Sequence, residues 1–202
     1  MPATPPVNPW SLSAADARSR LLQLIDELAV VRGPVTLSSG KEADYYVDLR
    51  RITLHHEASP LVGRVLLDLL AREDLLHGTD AVGGLTLGAD PVATALLHAA
   101  ATAPEDAGIP PLDAFVVRKA QKSHGLQRRI EGPSIAGRSV IAVEDTSTTG
   151  GSALEACAAI TEDDATIRAV AVIMDRGTGA RERIEEAGHR YIHAFGVNEL
   201  TV

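Results

Sequence analysis

Positive charge is in short supply in this chain. Nineteen Lys and Arg face 27 Asp and Glu across 202 residues, a formal net charge of −8. A general nucleic-acid surface is thereby excluded, and any anion has to be held by a local basic cluster. Cysteine is nearly missing too. Cys157 is the only one, which forbids an internal disulfide, argues against a cysteine-based metal site and fits a reducing compartment. No apolar run approaches the roughly 18 residues of a membrane span, and the opening MPATPPVNPW has neither a basic nor an apolar leader region. The expectation is a cytoplasmic protein with no membrane or nucleic-acid partner. Histidine pairs at metal-ligand spacing are also lacking: His55 and His56 are adjacent, and on an extended segment their side chains would point apart. They read as structural.

What is present is apolar and regular. Hydrophobic residues make up 45% of the chain, enough for one sizeable core in a single domain over residues 1–202. After a Pro-rich arm, Ser13 is placed to cap a helix, because Ala17, Leu21, Leu24, Ile25 and Leu28 recur at helical spacing as far as Gly33-Pro34. Val35 to Leu37 and Tyr45 to Leu49 read as short strands around a Ser-Ser-Gly turn, and Ser59-Pro60 as the cap of a second helix. Beyond it, strands at 80–83, 113–117, 139–143, 169–174 and 191–195 alternate with helices at 91–101, 151–160 and 179–187. Short Val/Ile/Ala runs between amphipathic helices specify an α/β fold, an open and mainly parallel sheet with helices on both faces. The connection from Arg118 to Gly137 is longer than a tight turn needs.

Chemistry concentrates in VIAVEDTSTTGGSALEAC, residues 140–157. Glu144 and Asp145 end an apolar strand, where open parallel sheets bind ligands. Adjacent carboxylates can accept hydrogen bonds from the vicinal hydroxyls of a ribose. Thr146, Ser147, Thr148, Thr149, Gly150, Gly151 and Ser152 follow, offering hydroxyls and successive N–H groups at a helix N-terminus, which suit a phosphate monoester. Together they describe a ribose 5-phosphate site; without a ligand they are a strand-to-helix turn with an acidic cap. The Lys that a P-loop requires is absent. A second cluster gathers positive charge: Arg118, Lys119, Lys122, Arg128 and Arg129, with His124 among them, fall within a dozen residues. Such cations can neutralise the charge growing on a departing diphosphate, about three negative charges, and a loop bearing them can keep water from an oxocarbenium ion. The bland alternative is a solvated basic loop with His124 a bystander. The Gly-rich turn in VGGLTLGADPVATA, residues 82–95, could present N–H groups to diphosphate or simply open a helix at Pro91. Arg176 stands at another strand end, where a guanidinium can grip a planar carboxylate or pair with Asp175 or Glu182.

The apolar run, acid pair and TSTTG loop resemble the phosphoribosyl diphosphate (PRPP) signature of type I phosphoribosyltransferases. VVRKAQKSHGLQRRIEG (116–132) resembles the mobile catalytic loop of the orotate phosphoribosyltransferase family, and LSSGKEADYYVDLRR (37–51) and MDRGTGA (174–180) resemble its hood and base-binding segments. The resemblance runs from about residue 30 to 185 and implies a hood mainly within 1–55 over a core of about 56–202. It implies that Arg118, Lys119, Lys122, His124, Glu144, Asp145 and residues 146–152 bind PRPP, with Lys122 and His124 catalytic, and that Tyr46, Val47, Thr148 and Arg176 meet orotate. Mg2+ is implied to arrive mainly through PRPP, with no residue assigned as a direct metal ligand. A homodimer is implied, its mobile loop shared between subunits. The chain departs from the family at Leu87-Gly88, where a Tyr-Lys pair is common, and at Ser38, where Lys is common; both put more of diphosphate binding on the loop.

The implied reaction is transfer of the 5-phosphoribosyl group from PRPP to orotate, giving orotidine 5'-monophosphate and diphosphate in pyrimidine biosynthesis. One alternative is transfer to another base, against which Arg176 argues because a neutral purine has no carboxylate. The other is a non-catalytic PRPP-binding regulator.

Overall fold

Helix α1 (Ala14–Leu24) begins at Ser13, whose hydroxyl accepts from the Asp16 N–H at 3.1 Å and so satisfies a donor that the first turn leaves free. The computed structural model describes residues 8–36, 42–119 and 129–201. The helical spacing does not persist to Gly33-Pro34: after one π-helical turn, Ile25–Ala29, the chain becomes extended at Val30. Strand β1 (Val30–Thr36) pairs antiparallel with β2 (Glu42–Val47), and its register shifts between Arg32 and Val35. A shift there suits Pro34, which has no N–H for the ladder. This pair is a two-stranded sheet of its own.

Helix α2 (Arg50–Thr53) is a single turn anchored by buried Leu49 and Ile52. Helix α3 (Ala58–Arg72) is capped by His55 and not by Ser59: Nδ1 of His55 accepts from the N–H groups of Glu57 and Ala58 at 3.4 and 3.3 Å. His55 thus has the structural role expected of it, but on a turn, where the rings of His55 and His56 approach to 4.4 Å.

The main sheet holds β3 (Ala81–Leu85), β4 (Asp113–Val117), β5 (Ile130–Glu131), β6 (Ser139–Ser147), β7 (Thr166–Asp175) and β8 (Tyr191–Gly196), in the order β5-β4-β3-β6-β7-β8. All neighbours are parallel except β5, which lies antiparallel to β4. Helices α4 (Ala89–Ala101), α5 (Gly151–Glu162) and α6 (Ala180–Glu186) complete the layers. Alternate strand residues point to opposite faces, and the core divides accordingly. Val82, Ile141 and Ala171 join a cluster with α1, α3 and α4, whereas Ala81, Val140 and Val170 join one with α5 and α6.

The strand order reverses at β3, because the chain steps outward to β4 and returns to β6 on the other side. Strand β6 pairs with β3 only over Val140 to Ala142, yet follows β7 as far as Ser147. The carboxyl ends of β3 and β6 therefore part. That gap is the topological switch point at which open α/β sheets bind ligands.

Candidate active site

A cavity of about 660 Å3 opens where β3 and β6 separate. It brings together Tyr46 and Val47 from β2, Lys119 after β4, Glu144, Asp145 and Thr146 on β6, Thr148 and Ser152 beyond it, and Arg176 after β7. A recess of about 50 Å3, walled by Glu144 and residues 146–153, adds Ser147, Thr149, Gly150 and Gly151. Gly150 caps α5 at φ 72°, and a Cβ there would lie 3.0 Å from Cγ1 of Ile184, so conformation and space both require glycine. The carbonyls of Thr148 and Thr149 accept from the Thr178 hydroxyl at 2.6 Å and from Arg183 at 3.1 Å. Among the described residues, the N–H groups of Thr149 and Gly150 meet no protein acceptor. The turn is a small anion cradle whose carbonyls are already occupied.

Glu144 is 7% exposed, and its Oε2 has no hydrogen-bond partner among the described residues. Burial, reinforced by the charge of Asp145, pushes the Glu144 carboxyl up to about 8. Burial also raises Asp145, opposed chiefly by the Thr146 N–H, which donates to its Oδ1 at 2.7 Å. The pair thus carries less than its full charge at neutral pH and retains acceptor capacity that the protein leaves unused. Gly88 packs directly on it, since a Cβ at that position would lie 2.7 Å from Oε1 of Glu144 and 2.8 Å from Oδ1 of Asp145. Among the described residues no group of three or more His, Cys, Asp or Glu side chains could hold a metal ion. An under-satisfied acid pair nevertheless fits a cation that brings its own oxygen ligands, as Mg2+ does with phosphates and water.

The Arg176 guanidinium stands 5.7 Å from the centre of the Tyr45 ring and makes no ion pair among the described residues. The backbone N–H of Arg176 donates to the Ser147 carbonyl at 3.0 Å, which ties the end of β7 to the anion cradle.

No family model matches the chain. Over 186 residues it is 61% identical to an orotate phosphoribosyltransferase of Streptomyces coelicolor, covering 92% of this chain and 97% of that one. The chain belongs to the orotate phosphoribosyltransferase family. A crystal structure of the Mycobacterium tuberculosis member in complex with Fe(III) dicitrate matches with a TM-score of 0.80 and 52% identity, over 92% of this chain and 99% of that one. Another, in complex with PRPP, matches at 0.76 and 48%, over the same shares. The expected type I fold is therefore the fold of this family member.

Two of the family's implied site residues, Lys122 and His124, lie outside the described residues, as does Ser38. Arg118 is not brought to the cavity: its Nη1 lies 3.3 Å from Oε1 of Glu131, and its N–H donates to the Arg129 carbonyl at 2.8 Å. Pairing of β5 with β4 turns it aside. Two residues that sequence reasoning missed, Arg50 and Arg183, belong here as well, and Gly88 of the Gly-rich turn takes a place that the sequence did not assign it. Arg50 lines the cavity, Arg183 braces the cradle, and Gly88 supports the acids. Arg50 lies inside the hood-like DLRR segment, which was the available signal. Arg183 had none, because its contact arises only from the packing of α6.

Proposed function

We propose that this family member transfers the 5-phosphoribosyl group of PRPP to orotate, releasing diphosphate and giving orotidine 5'-monophosphate for pyrimidine biosynthesis in the cytoplasm. One observation carries the reading: an under-satisfied acid pair, an anion cradle and an unpaired guanidinium share one cavity at the switch point. Residues 146–152 receive the 5-phosphate, while Glu144 and Asp145 accept from the ribose hydroxyls. Arg176 takes the orotate carboxylate, with Thr148, Tyr46 and Val47 orienting the ring. Holding the ring nitrogen opposite the leaving group supplies the near-attack geometry.

The bond from C1 to the diphosphate oxygen breaks as positive charge spreads over the ribose, and the ring nitrogen attacks with inversion. Lys119, Lys122 and His124 face the charge that collects on diphosphate, and Lys122 contributes most in the transition state. Mg2+ bound with PRPP would neutralise phosphate charge, held by Glu144 and Asp145 through the ribose hydroxyls.

The unit is a single domain, with the two-stranded sheet as its hood, and it works as a homodimer. Leu54 and Leu87, 73% and 72% exposed, flank an apolar groove of about 740 Å3 that shares Arg50 and Leu87 with the site cavity. Exposed leucines on a continuous groove support a protein partner there, and a second copy would bring its basic segment to the neighbouring site. The test is orotate absorbance after addition of PRPP and Mg2+. A fall with release of diphosphate is expected; PRPP binding without any turnover would leave the regulator reading instead.

A further inference from the structure

We propose that Arg50 binds the diphosphate of PRPP, a role that rests on the transferase reading above. Its backbone is fixed, because the flanking Leu49 and Ile52 are 1% and 0% exposed. Asp48 fixes the side chain: its Oδ1 accepts from Nε of Arg50 at 3.0 Å and from the Arg50 N–H at 3.3 Å. The tether uses Nε, and among the described residues neither Nη has an acceptor. A guanidinium held in this way offers its Nη edge as a planar fork of two donors, a shape that matches phosphate oxygens.

Position selects the phosphate. Arg50 lines the main cavity and the adjoining groove together with Leu87, but not the recess walled by residues 146–153. It therefore stands away from the cradle that takes the 5-phosphate. With the ribose hydroxyls on Glu144 and Asp145, the other phosphorylated end of PRPP is the one that extends toward Arg50. The cations lining the main cavity among the described residues are Arg50, Lys119 and Arg176. Arg176 is engaged with the base, so among the described residues Lys119 and Arg50 are the cations of this cavity left for the diphosphate, which carries about three negative charges. Position 88 is a glycine and adds no cation of its own. Arg50 lines the same cavity as Lys119 and shares that charge with it.

The test is calorimetric titration of wild type, Arg50→Gln and Arg50→Lys with PRPP, with inorganic diphosphate and with orotate, all in Mg2+. Arg50→Gln is expected to weaken PRPP and diphosphate by about tenfold or more and to leave orotate within about twofold. Arg50→Lys, which keeps the charge and loses the fork, is expected to fall between the two. Unchanged PRPP affinity in Arg50→Gln, or an equal loss for orotate, would overturn the inference while the transferase reading stands. Wild type that fails to bind PRPP would overturn both. Coincident thermal unfolding of the three chains excludes misfolding as the cause, and a folded Arg50→Lys chain decides the matter should Arg50→Gln unfold.

Discussion

Glu144 is a carboxyl that folding holds in its protonated form. Its ordinary value is 4.5, and burial followed by the Asp145 charge carries it to about 8. Between these values the folded chain binds a proton that the unfolded chain has released, so stability falls as pH rises through the window and levels off above it. Glu144→Gln removes the penalty, and the ligand-free variant should melt several degrees above wild type at pH 8 and alongside it near pH 4.5. Each kcal/mol is worth roughly 2–4 °C in a chain of this size. The same change removes an acceptor for the ribose, so PRPP affinity should drop about tenfold or more. Wild-type affinity for PRPP should climb toward pH 8 as the pair ionises, and the variant should lose that slope. A variant melting no higher than wild type at pH 8 would refute the buried-acid account. Arg176 makes the complementary case. Arg176→Ala should weaken orotate by about tenfold or more and spare PRPP, because its partner is a carboxylate that PRPP lacks. Separate titrations distinguish this from a structural Arg, whose loss would weaken both ligands alike.

Elements position these groups, and the N-terminus of α5 is the most exacting. Gly150→Ala would place a Cβ at a left-handed residue and 3.0 Å from Ile184. Chemical denaturation should show a loss of about 1–2 kcal/mol, and PRPP affinity should fall because the cradle changes shape. Wild-type stability and affinity together would mean that α6 yields easily. The strand-cradle-helix unit was legible because its signals are contiguous: an apolar run, two acids, a hydroxyl and glycine turn, then an amphipathic helix. The other strands of the main sheet except β5 were legible from their Val/Ile/Ala runs, although β6 extends to Ser147 through its ladder with β7, which no local signal reports. The end of α1 was misread because Leu24, Ile25 and Leu28 continue a helical stripe into a segment whose Val30 and Val31 prefer the extended form. Strand β5 is two residues long and exists through pairing with β4. Arg183 was missed because only the packing of α6 brings it to the cradle, whereas Arg50 lay in a segment already singled out and lacked only its place in the cavity.

At the scale of the whole molecule, the question is whether one chain completes its own site. Among the described residues the cavity has Lys119 from the basic segment, and the proposed transition-state cation, Lys122, lies three residues further along. The groove bearing Leu54 and Leu87 shares Arg50 and Leu87 with that cavity, and it is the surface on which the proposed homodimer would seat its second copy. Lys122→Ala alone should lower kcat by about two powers of ten, as loss of one charge-stabilising group commonly does, and Asp145→Asn alone should impair ribose binding. If the segment serves the neighbouring subunit, mixing the two inactive chains after reversible dissociation repairs one site. A mixed dimer then pairs the intact acids of the Lys122→Ala chain with the intact Lys122 of its partner, and gathers both lesions in the other site. With half the dimers mixed and one good site of two in each, activity should return to about a quarter of wild type. Activity that stays at the level of the separate variants, with mixed dimers demonstrated by mass, would mean that each basic segment acts on its own subunit and that the leucine groove contributes contact area without completing the site.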